Sequence, residues 1–285
     1  MLDLHPLASA YLFNTPVASL PHVTTLQFFL LIISSLELIN QSILHLSPLL
    51  KPPVIPVRGK HLDALSAKDV AFIIFNKLMI PPFVYLITSY CHSNPSSIDW
   101  TLPSPPSSPL PFLHTFLLPL PLLFLTYDFF YSLLHRFLHI QAVYSYIHKH
   151  HHHQKAPSRG NSDAVNVHPF EFLAGEYCHW WALFLLNCAG VRVHILSVAT
   201  FMFLGGVLAT LNHTRWNAKV SLFGVTLFEA ASHDVHHRLP LTNYGQYIMF
   251  WDYVLGTYRP YDEADRVNAS WQKPEIRGIV GKVAA

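Results

Sequence analysis

Long apolar segments alternate with short polar ones along most of the chain, and this alternation predicts several membrane-spanning helices. Leu, Ile and Phe dominate residues 23–46, and further apolar segments cover residues 70–91 and 110–134. A helix needs about 20 mainly apolar residues to cross the hydrocarbon core of a bilayer. Each of the three segments has this length, so each is predicted to span the membrane.

Another apolar stretch, residues 172–211, is about twice as long as one crossing requires. At a rise of about 1.5 Å per residue, a single helix of this length would be twice as long as the hydrocarbon core is thick. Gly190 and Arg192 interrupt the stretch between Asn187 and His194. We therefore predict a helical hairpin that enters the membrane and returns to the side it left.

The polar segments predict how these spans are oriented. Residues 47–69 contain four Lys or Arg side chains, whereas residues 1–22 and 92–110 contain none. Because basic loops stay on the cytosolic side, residues 47–69 are predicted to be cytosolic and the Ser- and Pro-rich connector at 92–110 lumenal. The chain from residue 135 onward is then cytosolic again. Arg192 would lie at the lumenal turn of the hairpin, unless that hairpin is shallow and re-entrant.

Composition agrees with one integral membrane domain. Of 285 residues, 51% are hydrophobic and 12% are charged, and the mean hydropathy is +0.30. The charged share is about half that of an average soluble protein. A net charge of +2 gives no reason to expect nucleic acid, and three scattered cysteines are too few for a disulfide framework. The first residues lack the basic region of a cleaved signal peptide, so the first span is expected to direct insertion.

Histidines carry the candidate chemistry, because 14 of the 20 lie between His135 and His237. Eight of them form three boxes in which histidines three or four positions apart would share one face of a helix. Neutral imidazole is the commonest protein ligand for iron, zinc and copper. Eight histidines exceed what one tetrahedral ion uses, so the pattern predicts two metal ions. The boxes comprise His135 and His139; His148, His151 and His152; and His233, His236 and His237.

A tag, a metal-buffering tract, a metal transporter and a zinc hydrolase are four alternatives for the same histidines. A tag is disfavoured because the run at 150–153 is internal, and a metal-buffering tract would need no matching box downstream. A metal transporter would be expected to place its ligands within the spans, near the bilayer midplane. A zinc hydrolase would need about three protein ligands and an open position.

The order of the boxes, HxxxH, HxxHH and HxxHH, resembles the fatty acid hydroxylase and sterol desaturase superfamily of membrane enzymes with a non-haem di-iron centre. Asp128, seven residues before the first box, fits the same pattern. The resemblance covers about residues 110–260. Further matching residues are Ala156-Pro157, His168-Pro169-Phe170-Glu171, Asn243-Tyr244-Gly245, Trp251-Asp252 and Gly256-Thr257.

The expected fold is therefore all-α. It is an integral membrane helical bundle of about four spans, or three spans plus a helical hairpin, with a cytosolic helical cap that carries a histidine-rich dimetal site. Residues 1–22 are expected to form an N-terminal tail, residues 23–261 the membrane-embedded catalytic domain with its core at 110–260, and residues 262–285 a polar tail.

The resemblance also implies roles for individual residues. The eight box histidines would be metal ligands, and His168 and His213 would complete the shell, whereas His150 and His153 would be surface or supporting residues. Asp128 and Asn243 are the predicted catalytic residues; Asn243 would hold a metal-bound water, although the start of a turn explains it equally well. Carboxylates would orient ligand imidazoles by accepting their second N–H, or would cap helices and form ion pairs. These carboxylates are Asp128, Glu171, Asp234 and Asp252.

The implied activity is an iron-dependent oxidoreductase that hydroxylates or desaturates a lipid with O2. A sterol or methyl sterol is favoured, because the HPFE sequence resembles methyl sterol oxidases and cholesterol hydroxylases; a sphingoid base or a fatty acyl chain is the alternative. The chain has no GxGxxG fingerprint and no HPGG haem motif. Electrons from NAD(P)H would then arrive through a separate carrier, such as cytochrome b5 with its reductase. The family predicts the endoplasmic reticulum membrane, with the boxes facing the cytosol. The expected basic docking face comprises Arg136, Lys149, Lys155, Arg159, Arg215, Lys219 and Arg238.

Overall fold

The computed structural model of the chain describes residues 16–17, 20–57, 61–62, 64–100 and 113–262, and it is mainly helical. Short 3₁₀ turns cover Ser47–Leu50 and His151–His153, and a π-helical turn covers Leu113–Leu117. The α-helices are α1 (Thr25–Leu46), α2 (Ala67–Ser93), α3 (Pro119–Leu138), α4 (Gln141–Tyr144), α5 (Asn161–Ala164), α6 (Pro169–Cys188), α7 (Ile195–Asn212), α8 (Ala230–Arg238) and α9 (Phe250–Val254).

The described part of the chain also contains three short strand pairs, which the all-α prediction did not include and which form no closed sheet. The strands are β1 (Pro16–Val17), β2 (Leu20–Thr24), β3 (Ile98–Asp99), β4 (Val193–His194), β5 (Lys219–Leu222) and β6 (Val225–Glu229). β1 pairs with β2 and β5 with β6 in antiparallel fashion, whereas β3 and β4 are parallel. The β5–β6 hairpin directly precedes the third histidine box, and the sequence analysis did not predict it.

Among the described residues, four helical segments are long and apolar enough to cross a membrane: Leu26–Leu50, Ala67–Ser93, Leu113–Leu138 and Ile195–Asn212. The first three correspond to the predicted spans at 23–46, 70–91 and 110–134, so the predicted class of helical membrane protein is confirmed. Their outer faces remain apolar and uncovered; Leu38 on α1, for example, is 67% exposed. Lipid acyl chains would cover such a surface in a bilayer.

Local sequence explains where the first two spans begin. Thr24 and Gln27 form a capping box at the start of α1, and Ser66 and Asp69 form another at the start of α2. In each box the two side chains satisfy backbone N–H groups that the first helical turn leaves free. α2 then continues through Pro81 to Ser93.

The predicted hairpin at 172–211 is present as α6 and α7, which are joined through residues 189–194. Only α7 has the composition of a span, because α6 carries Glu171, Glu176 and His179 on an otherwise apolar helix. α3 packs against both helices. Its Tyr127 lies in a buried core with Leu183 of α6 and Phe201 of α7.

The bundle has two distinct ends. At one end β3 pairs with β4, which joins the connector after α2 to the turn of the hairpin. Arg192 lies there with its Nη2 atom 3.7 Å from Asp99 Oδ1, so the arginine has an acidic neighbour at the turn. At the other end α3 and α7 finish beside His139 and His213. The described parts of both predicted lumenal segments thus lie at the end opposite to the histidines.

Several predictions fall on residues outside the described ranges. They concern the first part of the N-terminal tail, the second half of the connector (residues 101–110), the start of the third predicted span (residues 110–112), Arg58 and Lys60 in the basic loop, and the tail after residue 262.

Candidate metal centre

The three histidine boxes come from three different kinds of local structure. His135 lies in the last turn of α3 and His139 is the residue that caps its C-terminus. The third box lies on α8, as helical spacing predicts. The second box differs from the prediction, because residues 145–150 form turns and His151–His153 a single 3₁₀ turn rather than an α-helix.

Folding brings nine histidines together in two adjacent groups, which we name site A and site B. Within each group the nitrogen atoms lie within 4.8 Å of one another. The boxes do not map one to one onto the groups, since the second and third boxes each contribute to both. Site A contains His135, His139, His148, His152 and His236; site B contains His151, His213, His233 and His237.

The two sites touch each other. The ring centroids of His152 in site A and His237 in site B are 5.0 Å apart, and those of His148 and His151 are 5.6 Å apart. The structure therefore provides two neighbouring positions for metal ions rather than one.

Hydrogen bonds determine which ring nitrogen is free in site A. His135 Nδ1 donates to the Tyr244 carbonyl at 2.9 Å, and His236 Nδ1 donates to the Thr242 carbonyl at 2.7 Å. His148 Nδ1 donates to Glu171 Oε1 at 2.7 Å. Because carbonyl and carboxylate oxygens only accept, Nδ1 carries the proton in each neutral ring and Nε2 presents a lone pair.

Burial keeps these rings neutral. It lowers the pKa of His148 from 6.5 to about 3, and it lowers the pKa of His152 and His236 well below the ordinary value. The same effect lowers the pKa of His151, His233 and His237 in site B. Neutral imidazole is the form that binds a metal ion.

The Nε2 atoms of site A lie close to one another. His135 Nε2 and His148 Nε2 are 3.0 Å apart, and both present lone pairs. His148 Nε2 is also 3.0 Å from His152 Nε2, which in turn is 3.1 Å from His236 Nε2. Two lone pairs at this distance repel each other unless a cation lies between them. Two ligands about 2.1 Å from one ion and at right angles would be about 3.0 Å apart, so the arrangement fits a bound metal.

Site B repeats this arrangement with one fewer histidine. His213 Nδ1 donates to the Ala209 carbonyl at 2.8 Å, so its Nε2 is free. That nitrogen lies 3.1 Å from His233 Nε2 and 3.4 Å from His151 Nε2. His237 Nε2 is 3.1 Å from His233 Nε2. The donor set again fits one metal ion.

Of the four predicted orienting carboxylates, Glu171 is the one that contacts a histidine of the two sites in the described structure. Asp128 accepts from the backbone N–H groups of residues 246–248. Asp252 accepts from the N–H groups of Tyr244 and Gly245 and from the Thr257 hydroxyl. These two acids hold the loop whose Tyr244 carbonyl fixes His135, and neither reaches the metal sites through its carboxylate.

Asp234 forms ion pairs instead. Its Oδ1 atom lies 2.8 Å from Arg215 Nη1 and its Oδ2 atom 3.0 Å from Arg238 Nε. Arg215 also donates to the carbonyls of Ile55 and Pro56. The buried acid thereby ties α8 to the segment before α2, which corresponds to the ion-pairing alternative in the sequence analysis.

Two other predicted site residues do not face the metal positions. His168 caps the start of α6, where its Nδ1 accepts from the Phe170 N–H at 3.2 Å, and it joins neither group. Asn243 has a positive φ of 53°. Its amide donates to the carbonyls of Ser232 and Arg259 and accepts from the Arg259 N–H. The side chain is thus occupied by a turn, the alternative given above, rather than free to hold a water.

The two extra histidines of the second box also lie outside both groups. His150 Nε2 is 2.9 Å from Asn166 Oδ1 and 3.1 Å from Asp69 Oδ1, so it links the second box to the start of α2. His153 is exposed. His150 therefore stabilises the fold through these contacts, and a supporting role of this kind was one of the two predicted for it.

A cavity of about 510 Å³ opens beside the metal sites, among α1, α2, α3, α6 and α7. Its walls are mainly apolar, with Ile80, Val84 and Met202 among the lining residues. Glu171, which holds His148, also lines it, so the cavity reaches the side of site A. Pockets for drug-sized ligands have about 300–1,000 Å³. This cavity was not predicted, since its residues come from six separate helices, α5 included, and from loops.

Comparison with known proteins supports this interpretation of the site. The sequence model of the fatty acid hydroxylase family matches residues 120–257. The chain is 28% identical over 170 residues to a methylsterol monooxygenase of Aspergillus fumigatus, covering 58% of this chain and 55% of the relative. It is 28% identical over 159 residues to sphinganine C4-monooxygenase 2 of Arabidopsis thaliana, covering 54% and 59%. It is 35% identical over 131 residues to a Delta(7)-sterol 5(6)-desaturase of Leptosphaeria maculans, covering 46% and 34%.

The chain thus spans about half of the length of the first two of these curated relatives and one third of the third. No solved structure matches it. The matched region begins at the start of α3 and ends just after α9, and it contains all nine histidines of sites A and B.

Proposed function

Because residues 120–257 belong to the fatty acid hydroxylase family, we propose that the chain is a membrane-bound non-haem di-iron oxygenase that acts on a lipid. It would hydroxylate or desaturate a C–H bond, with a sterol or methyl sterol as the favoured substrate. The convergence of nine histidine nitrogens on two adjacent positions is the observation that carries this proposal. A sphingoid base is the second candidate, because one relative is named a sphinganine monooxygenase.

Each site would hold one iron ion, site A with five imidazoles and site B with four. Two bound irons would supply the redox chemistry that activates O2 with the help of two external electrons. The protein's own contribution is orientation. Backbone carbonyls and Glu171 hold Nδ1–H of four rings, which directs Nε2 of each ring toward the metal position.

The cavity supports a lipid substrate. Its apolar walls lie among helices with the length and composition of membrane spans, so an apolar molecule would enter from the bilayer without crossing water. Tyr127, Tyr131 and Glu171 line the part of the cavity wall that α3 and α6 form below the histidines. A substrate bound there would bring one of its carbons close to site A.

Electrons would come from a separate carrier such as cytochrome b5, and several of the basic residues expected to dock it have acidic partners within the protein. Arg159, Arg215 and Arg238 are bound to Asp163 or Asp234 and serve the fold. Lys149 is exposed at the surface and Arg136 is half-buried over the Tyr244 ring. We propose that these two residues, close in sequence to the boxes, contribute to the carrier's docking site on the cytosolic face of the endoplasmic reticulum.

The experiment is to express the chain with an electron-donor system and to analyse membrane lipids by mass spectrometry under ¹⁸O2. The expected result is a sterol or a sphingoid base that gains one labelled oxygen atom or loses two hydrogen atoms. His151→Ala and His236→Ala should abolish this product and lower the metal content, whereas His153→Ala should be nearly silent because that side chain is exposed. A well-folded protein that binds one metal ion per chain, or none, would refute the di-iron assignment.

A further inference from the structure

One acid in the lipid-facing cavity has no hydrogen-bond partner among the described residues. Glu176 lies on α6 about 8 Å along the helix from Glu171, and it lines the cavity. Its carboxylate lies 3.7 Å (Oε2) from His179 Nδ1, which is longer than a hydrogen bond. The His179 Nδ1–H donates instead to the backbone carbonyl of Glu176 at 3.1 Å.

The surroundings make such an acid costly. Much of the cavity lining consists of apolar side chains such as Ile87, Val198 and Phe203, which offer no hydrogen-bond donor. A polar group placed in an apolar environment without a compensating hydrogen bond costs a few kcal/mol, as a general estimate. We therefore expect a group of the bound ligand to complete the hydrogen bonding of Glu176.

A second acceptor lies beside this acid. Because His179 Nδ1 carries the proton, its Nε2 accepts from the Tyr247 hydroxyl at 3.0 Å. The Tyr127 side chain is also hydrogen-bonded to Tyr247, whose oxygen keeps one lone pair, and Tyr247 lines the same cavity. Gly205 allows α7 to approach this hydroxyl, since a Cβ atom at position 205 would lie 2.8 Å from the Tyr247 oxygen. The cavity thus offers two neighbouring oxygen acceptors in an apolar wall.

We propose that Glu176, with the Tyr247–His179 pair beside it, binds the hydroxyl group of a lipid that occupies the cavity. A hydroxyl hydrogen satisfies an acceptor oxygen whether the Glu176 carboxyl is charged or neutral, because either form keeps an accepting oxygen. The apolar remainder of the lipid fills the rest of the cavity. This inference rests on the proposed function for the identity of the ligand as a substrate, but the binding site can be tested without any reaction.

The test uses a photoactivatable octadecanol and its methyl ether, which is matched in length but has no hydroxyl hydrogen. Each probe is titrated against the 285-residue chain in lipid nanodiscs after metal chelation, and crosslinked peptides are located by mass spectrometry. The alcohol should label α6 and α7 with an apparent affinity about tenfold higher than that of the ether, as one hydrogen bond predicts. Glu176→Leu should remove this preference, and Glu176→Gln, which keeps an acceptor oxygen, should restore most of it.

Tyr177→Leu is the matched control, because Tyr177 neighbours Glu176 on α6, is 45% exposed and does not line the cavity. It should leave the preference unchanged. Equal labelling of the wild-type protein by alcohol and ether would overturn the proposal even if Glu176→Leu fails to fold. A preference that survives in a folded Glu176→Leu protein, or tighter binding of octadecylamine than of octadecanol, would also overturn it. A protein with the hydroxyl preference that oxidises no lipid would instead refute the proposed function alone.

Discussion

Asp128 provides a direct test of whether a predicted catalytic residue acts on chemistry or on structure. Its Oδ1 atom accepts from Gln246 N at 2.8 Å, its Oδ2 atom accepts from Ile248 N at 2.7 Å, and Tyr247 N lies 3.1 Å and 3.2 Å from the two oxygens. The residue is completely buried on α3. It therefore holds the loop in which the Tyr244 carbonyl fixes the ring of His135.

The expected loss of unfolding free energy follows from the three backbone N–H groups that Asp128 accepts from. Asp128→Ala leaves all three without an acceptor, two of them buried and that of Ile248 partly buried, and each orphaned buried group costs about 1–3 kcal/mol. Because the losses share one loop and are not additive, we expect the free energy of unfolding to fall by about 3–5 kcal/mol. Asp128→Asn keeps one acceptor oxygen but turns an NH2 group toward the backbone donors, so about 2 kcal/mol should be lost.

The assay is unfolding in mixed micelles by titration with a denaturing detergent, combined with metal analysis of the folded protein. Ser132→Ala is the matched control, since Ser132 Oγ is buried on the same helix without a hydrogen-bond partner in the described structure. That variant should change the unfolding free energy by less than about 1 kcal/mol. An Asp128→Asn protein that retains full stability and metal content but is inactive would refute this structural role.

Three further predictions concern the site and the fold. Glu171→Gln should weaken metal binding at site A about 10–100-fold, because the acceptor that orients His148 loses its charge; equal loss of both metals in a titration with chelator would contradict this. In the metal-free protein the buried histidines have a lowered pKa, so below pH 6.5 the unfolded state binds more protons than the folded state. The free energy of unfolding, measured by chemical denaturation, should therefore fall as the pH drops from 6.5 to about 3, which is the lowered pKa of His148. Tags inserted near Lys155 should be accessible from the cytosol and tags near Ser97 from the lumen. Accessibility of both tags from the same side of the membrane would contradict their location at opposite ends of the bundle.

The helical spans were predictable from sequence because their cause is local. A run of about 20 apolar residues spans a bilayer whatever it packs against, and α1, α2 and α3 are located where such runs predict them. The break at residues 189–194 was equally visible, because Gly190 and Arg192 interrupt an apolar stretch. By contrast, the β5–β6 hairpin was missed because its exposed positions carry the apolar side chains of Val220, Leu222 and Val225, which hide the usual alternation.

The histidine pattern by itself predicted a site for two metals, since imidazoles at three- and four-residue spacing have few other reasons to recur in three boxes. Which histidines share a metal position was decided only by the tertiary structure. His148 and His151 belong to one box, yet they lie in different sites, because His148 is in the turn that precedes the 3₁₀ turn containing His151. His213 joins site B because α7 ends beside α8.

The roles of the carboxylates also depended on partners that are distant in sequence. Glu171, Asp128 and Asp234 are all buried acids near the boxes, and from sequence alone each could orient an imidazole, cap a helix or form an ion pair. In the folded protein Glu171 meets a ring N–H, Asp128 meets backbone N–H groups 118–120 residues away, and Asp234 meets two arginines. A buried carboxylate needs hydrogen-bond donors of some kind, but the fold determines which donors come within 3 Å. Composition and spacing therefore determined the class of fold and the kind of site, whereas long-range packing decided the function of each side chain.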